Sequence, residues 1–323
     1  DKFLNDPRTE NVDLHLGSVV NFGDVDPEKI NVYMWGEWPN CWFSGRRRGQ
    51  NVGHNFDIEK RFDYIVSYCP VTVENRKKHG NYIFAPTPYD VAYANSQLGF
   101  DMSKVEKEID VFMCATTEAQ NKCTDGRQHP VRLWYEKSIR NFNHRFCNLN
   151  SAHHFVKTWH EKQLYSAQSK ISVVFATFFG ATSKCIEYAD GQFPWLEFSV
   201  RKSDNENIKA SLPSPKYRIH DAAFCKSIML CYRDAFHKSS YPYRSSIESV
   251  HGLTPDVDFI YFDDTQDLTN KISEILSDYD NPKYKKMVDS AYNKTMELCD
   301  LDVIYEKYLV PLAAKGKSEH VER

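Results

Sequence analysis

Four short, almost uninterrupted apolar runs constrain this chain most: KINVYMW at Lys29–Trp35, IDVFMCA at Ile109–Ala115, SKISVVF at Ser169–Phe175 and IMLCY at Ile228–Tyr232. Each is too short for a helix of ordinary length, and polar residues bound each one. A strand apolar on both sides must be covered on both faces, the situation of a parallel sheet with helices packed above and below. The fold class expected is therefore α/β. A chain of 323 residues exceeds the usual size of a single core, so two domains of about 150 residues each are expected. The last run belongs to Lys216–Phe236, which reads as a short loop, a helix start at Asp221, a small-residue turn at Cys225-Lys226-Ser227 and a buried strand.

A helix start carrying an acid, Asp221, just behind a base, Arg218, suits a nucleotide diphosphate. Amides and guanidinium can face phosphate, and the carboxylate can accept from ribose hydroxyls. The same pattern also suits an ordinary βαβ unit in which Asp221 is only a helix-start charge. A net charge of −3 gives no pull toward nucleic acid or an anionic membrane surface. No apolar stretch reaches the length of a membrane span. The nine cysteines are odd in number and include no CxxC pair, which argues against a disulfide framework or a structural zinc. A reducing, cytoplasmic setting is expected, with a Golgi-lumenal domain whose anchor was removed as the alternative. The fingerprints GxGxxG, GxxxxGK[ST] and GxSxG are missing, and no acidic pair of the DxD type lies mid-chain. That argues against P-loop NTPases, serine hydrolases and metal-dependent transferases with a single nucleotide domain, and leaves two Rossmann-like halves facing a cleft.

Taken in order, the chain offers further candidates. Glu37 follows the strand at Lys29–Trp35 and precedes a Pro39-Asn40 turn, at the strand end where open α/β sheets bind ligands. Asp90 holds a similar place after Asn81–Pro88. Each fits an acceptor-side base, and each equally fits a carboxylate bonded to turn amides. Arg46-Arg47-Arg48 forms a basic loop. Val91–Glu108 reads as a helical link, so residues 1–108 are expected to form the first domain and 109–298 the second. Residues 299–323 are expected to cross back and brace the first. Arg132 falls in the first turn of a helix from Pro130 to Phe142, and Lys170 opens a strong strand; both are phosphate candidates. His153, His154 and His160 lack an acidic partner pattern, so no metal site is expected.

Two phrases also carry resemblances. Arg218-Ile219-His220-Asp221-Ala222, the turn at 225–227, the strand 228–232 and the later Asp256–Asp264 with Leu268, Ile272, Ile275 and Leu276 resemble the donor-binding segment of exostosin-type glycosyltransferases. Asp221 departs from the Glu usual there. Glu37 before Pro39-Asn40, with Phe62-Asp63-Tyr64, resembles α1,3/4-fucosyltransferases. These resemblances imply a GT-B-like fold and an inverting, metal-independent glycosyltransferase acting on a glycan or glycoprotein acceptor. Arg218, Asp221, Lys170 and Arg132 would hold the nucleotide-sugar donor, and Glu37 or Asp90 would be the base. The donor would be a UDP-sugar such as UDP-xylose, or GDP-fucose. A phosphorylase or nucleotide-sugar epimerase on the same frame, and a non-catalytic glycan-binding protein, are the alternatives.

Overall fold

A computed structural model describes residues 5–17, 25–35, 61–68, 73, 77, 80–115, 131–148, 159–179, 211–213, 217–233 and 246–317. The chain divides into two compact units, Asp1–Pro88 with Leu298–Arg323, and Tyr89–Glu297. The division falls at Pro88, ahead of the expected boundary at 108. The reason is that Ala94 and Leu98 of the expected link bury against Ala167, Phe224 and Cys225 of the second unit.

The first unit is built on a four-stranded parallel sheet in the order β1 (Val12–Gly17), β2 (Ile30–Trp35), β3 (Tyr64–Ser67) and β4 (Tyr82–Phe84). Alternation along β2 and β3 sends Ile30, Val32, Met34, Tyr64 and Val66 to one face, where Tyr305, Leu309 and Leu312 of the C-terminal segment cover them. Tyr33, Ile65 and Tyr82 face the other way and pack with Phe62. The C-terminal residues from Leu298 thus belong to the first unit. Arg8 fastens the two ends by bonding both Asp6 and Glu306, at 2.6 and 2.8 Å. The C-terminal helix widens to a π-turn over Tyr305–Leu309 just before Pro311, whose missing N–H leaves a carbonyl one turn back without its usual donor.

The second unit holds a five-stranded parallel sheet. Its strands are β5 (Ile109–Ala115), β6 (His144–Asn148), β7 (Ser169–Val174), β10 (Ile228–Tyr232) and β11 (Ile260–Phe262), with a small antiparallel pair, β8 (Thr177–Phe179) and β9 (Ser211–Pro213), between β7 and β10 in the chain. In space the order is β6-β5-β7-β10-β11. Counted within the unit this is 2-1-3-4-5, a doubly wound sheet whose winding reverses between β5 and β7. The helices are α1 (Val91–Leu98), α2 (Val131–Ile139), α3 (Trp159–Ala167), α4 (Tyr217–Phe224), α5 (Ser246–His251), α6 (Thr265–Ser277) and α7 (Pro282–Cys299).

Both faces of this sheet are covered, as the apolar runs require. Val111, Met113, Ile171, Val173, Ile228 and Leu230 meet Tyr135 and Ile139 of α2 and Leu268, Ile272 and Ile275 of α6. Val174, Met229 and Cys231 point oppositely, to Ile219, Ala222 and Ala223 of α4 and Ile247 of α5. Tyr135, Phe175, Tyr232 and Phe262 form an aromatic knot with centroids 5.2–5.8 Å apart, edge-on or tilted as ring quadrupoles prefer. Asp264 caps α6 by accepting from the Asp267 amide at 2.8 Å. Among the described residues no helix is long and apolar enough to cross a membrane.

Candidate functional site

In a doubly wound sheet the crevice for a ligand lies outside the carboxyl ends of the two strands where the winding reverses, here β5 and β7. The helices that come next in the chain after β5 and β7 pack on opposite faces of the sheet. Those helices are α2, carrying Arg132 in its first turn, and α4, carrying Arg218 as its second residue.

On the α3–α4 face beside this reversal, Phe112 and Cys114 of β5, Ser172–Val174 of β7, Lys162 and Ser166 of α3, and Arg218, Asp221 and Ala222 of α4 line a cavity of about 20 Å³. That is room for about one water. Arg218 contributes its guanidinium, and its Nη1 is buried without a hydrogen-bond partner. An unsatisfied buried donor is costly, and a guanidinium fork is shaped for phosphate or carboxylate oxygens. No carboxylate among the described residues forms an ion pair with Arg218. Its guanidinium lies against the Cys114 thiol, whose pKa is raised by burial against the opposing pull of Arg218 and Lys162.

Asp221 occupies a different place from the one expected. Helix α4 begins at Tyr217, so Asp221 stands in mid-helix, not at the amino end, and is only 5% exposed. Its Oδ2 accepts from Lys162 Nζ at 2.5 Å, and its Oδ1 accepts from Gln163 Nε2 and from the Tyr89 hydroxyl at 3.3 Å. The Cys225 thiol in turn donates to Gln163 Oε1 at 2.9 Å, which fixes the amide's orientation. Burial pushes that thiol up to about 12, and burial with the adjacent carboxylate keeps the Tyr89 phenol protonated. A carboxylate so enclosed ties Tyr89, just ahead of α1, to α3 and α4 and is not presented to a ribose. Lys107, lowered to about 8 by burial, donates to the Cys225 carbonyl at 3.0 Å and closes the other end of α4.

The remaining candidates separate. Lys170 lies at the amino-terminal edge of the sheet, at the start of β7, and pairs with Asp110 at 2.8 Å. It is at the wrong end of the strand for a donor phosphate and its charge is already matched. Asp90 caps α1, accepting from the Tyr93 amide at 2.7 Å, and belongs to the second unit. Arg132 has its backbone in α2, while its side chain lies outside the described residues, as do Glu37, Arg46–Arg48, His153 and His154. Helix α3 supplies Lys162 and Gln163, which sequence reasoning missed. Adjacent polar residues on a short helix are ordinary, and only the sheet order brings them to Asp221.

No protein-family model matches the chain, and neither does any curated protein. Solved structures do resemble it. An alpha-glucosyltransferase in complex with UDP and a 13-mer DNA containing a central A:G mismatch is 12% identical, over 94% of this chain and 80% of that one, with a TM-score of 0.51. HepE of Anabaena in complex with UDP is 10% identical, over 88% and 72%, with a TM-score of 0.49. A glycosyltransferase of Rickettsia africae is 9% identical, over 88% and 76%, with a TM-score of 0.44. At such identity the first likeness establishes fold: the chain has the two-unit α/β architecture of GT-B glycosyltransferases.

Proposed function

We propose that this chain is a nucleotide-sugar-dependent glycosyltransferase, and that the second unit binds the donor at the carboxyl ends of β5 and β7. The observation that carries the proposal is Arg218, a guanidinium with a buried, unpartnered nitrogen near the amino end of α4 at the reversal of a doubly wound sheet. An anionic diphosphate supplies what that nitrogen lacks. The alpha-glucosyltransferase that shares the fold holds UDP, which favours uridine over guanosine as the base. UDP-xylose is the sugar donor we favour. GDP-fucose is the second choice, on the resemblance around Glu37.

The proposed reaction is a single displacement with inversion and without a metal. Glu37 takes the proton from a hydroxyl of a glycan or glycoprotein. That oxygen forms its bond to the anomeric carbon as the bond from carbon to the diphosphate oxygen breaks. Arg218, with Arg132 from the first turn of α2, takes up the charge growing on the leaving diphosphate. Asp221 and Lys170 have no direct part, the first because it is enclosed and the second because it is paired at the far edge. The buried thiols of Cys114, Cys147, Cys225 and Cys231 suit a reducing, cytoplasmic setting; a Golgi-lumenal catalytic domain is the alternative.

The test is release of nucleoside diphosphate from UDP-glucose, UDP-xylose and GDP-fucose, with and without EDTA. The proposal expects release from one donor class at a rate EDTA leaves unchanged. Release that EDTA abolishes would overturn the metal-free mechanism, and no release from any donor would overturn the enzyme.

A further inference from the structure

Arg218 and Asp221 are three residues apart on α4, a spacing that makes side chains neighbours on a helix surface. Both line the same small cavity. A guanidinium and a carboxylate so placed normally form a bidentate pair, yet here they do not. The carboxylate is taken from the other side, by Lys162 Nζ at 2.5 Å, with Gln163 and the Tyr89 hydroxyl completing its shell. Each member of that shell is itself held. Gln163 is fixed by the Cys225 thiol at 2.9 Å, and Tyr89 stacks on His220 with centroids 5.5 Å apart. The result is an asymmetric division of charge. Lys162 neutralises Asp221, and Arg218, which lines the cavity, is left with positive charge and a buried, unpartnered nitrogen.

We infer that Lys162 is a positioning residue that keeps Arg218 available to an anionic ligand by occupying Asp221, the carboxylate three residues along the same helix. The inference rests on the reading of Arg218 as the donor-phosphate ligand. A compact ammonium suits this role because it satisfies one oxygen of Asp221 and leaves the other to Gln163 and Tyr89, whereas a guanidinium fork would take both. Without Lys162 the enclosed carboxylate lacks a cation, and Arg218 is the nearest replacement on its own helix. Binding of a diphosphate would then have to compete with an internal ion pair.

The experiment compares wild type, Lys162→Met, Asp221→Asn, the double variant Lys162→Met/Asp221→Asn and Arg218→Ala by calorimetric titration with UDP and with inorganic pyrophosphate. It adds a crystal structure of Lys162→Met. Lys162→Met should weaken UDP binding about as much as Arg218→Ala, between about tenfold and about 150-fold, the range of one charged hydrogen bond. The double variant should return to within about threefold of wild type, because a neutral amide no longer captures Arg218. A merely structural Lys162 would leave the double variant as weak as the single one, and that result, or an unchanged affinity in Lys162→Met, overturns the inference. Should Lys162→Met fail to fold, Asp221→Asn decides: it should bind UDP at least as tightly as wild type, and a tenfold loss overturns the inference. If wild type binds neither UDP nor pyrophosphate, the donor reading itself has failed. The crystal structure then judges Lys162 separately, a guanidinium nitrogen within 4 Å of an Asp221 oxygen supporting its role and an unpaired Arg218 refuting it.

Discussion

Two histidines with no exposed surface, His220 and His251, make the second unit sensitive to acid in a calculable way. Their rings meet edge to face with centroids 4.7 Å apart, and His220 stacks on Tyr89. Burial pushes His220 down to about 3; burial, and then the neighbouring His220, hold His251 well below its usual value. Both are therefore neutral in the folded state, while in the unfolded chain they titrate near 6.5. As pH falls, the unfolded state takes up protons first. The pair's contribution is complete above about pH 6.5 and is lost as pH falls from there toward 3. At about 1.4 kcal/mol per pH unit per proton, moving from pH 8 to pH 5 costs about 2 kcal/mol for each histidine and about 4 kcal/mol for both. Carboxylates held low in the folded state lose their contribution mainly below pH 5, so the window isolates the imidazoles. The assay is urea unfolding at pH 8 and pH 5 of wild type and of His220→Phe/His251→Phe, whose rings can keep the edge-to-face geometry. Wild type should lose about 4 kcal/mol more than the double variant across that interval. An equal loss in the two proteins would refute the claim that these imidazoles are buried neutral.

Two further outcomes follow from the placement of the carboxylates. Asp90→Ala removes the cap of α1 and should lower stability by about 1 kcal/mol while leaving transfer turnover unchanged; a collapse in turnover at intact stability would make Asp90 the base after all. Glu37→Gln should lower turnover at least a hundredfold, the scale of general-base catalysis, with UDP affinity kept. Equal loss of turnover and affinity would remove Glu37 from that role.

The parallel sheets could be read from the sequence because their strands are apolar on both sides. Ile109–Ala115 and Ile228–Tyr232 form strands with the expected bounds. Strand β6, His144–Asn148, could not be read, because an edge strand in a polar context carries no continuous apolar run. The start of α4 was misplaced for a related reason. His220 and Asp221 look like surface residues, and Tyr89, His251, Lys162 and Gln163, brought in from other elements, pack or bond against them where they are buried. Arg218 was visible as a base near a helix start. That it keeps an unpartnered nitrogen depends on Lys162, fifty-six positions earlier in the chain, which no local pattern connects to it.

The most direct test of the account is the affinity of UDP for wild type and for Arg218→Ala, titrated in the presence of EDTA with GDP as the comparison ligand. The account predicts that UDP binds wild type more tightly than GDP does, and that Arg218→Ala weakens UDP by about 1.5–3 kcal/mol, the scale of a charged hydrogen bond. Equal UDP affinity in the two proteins would contradict it, because the unpartnered guanidinium would then have no ligand in the donor diphosphate.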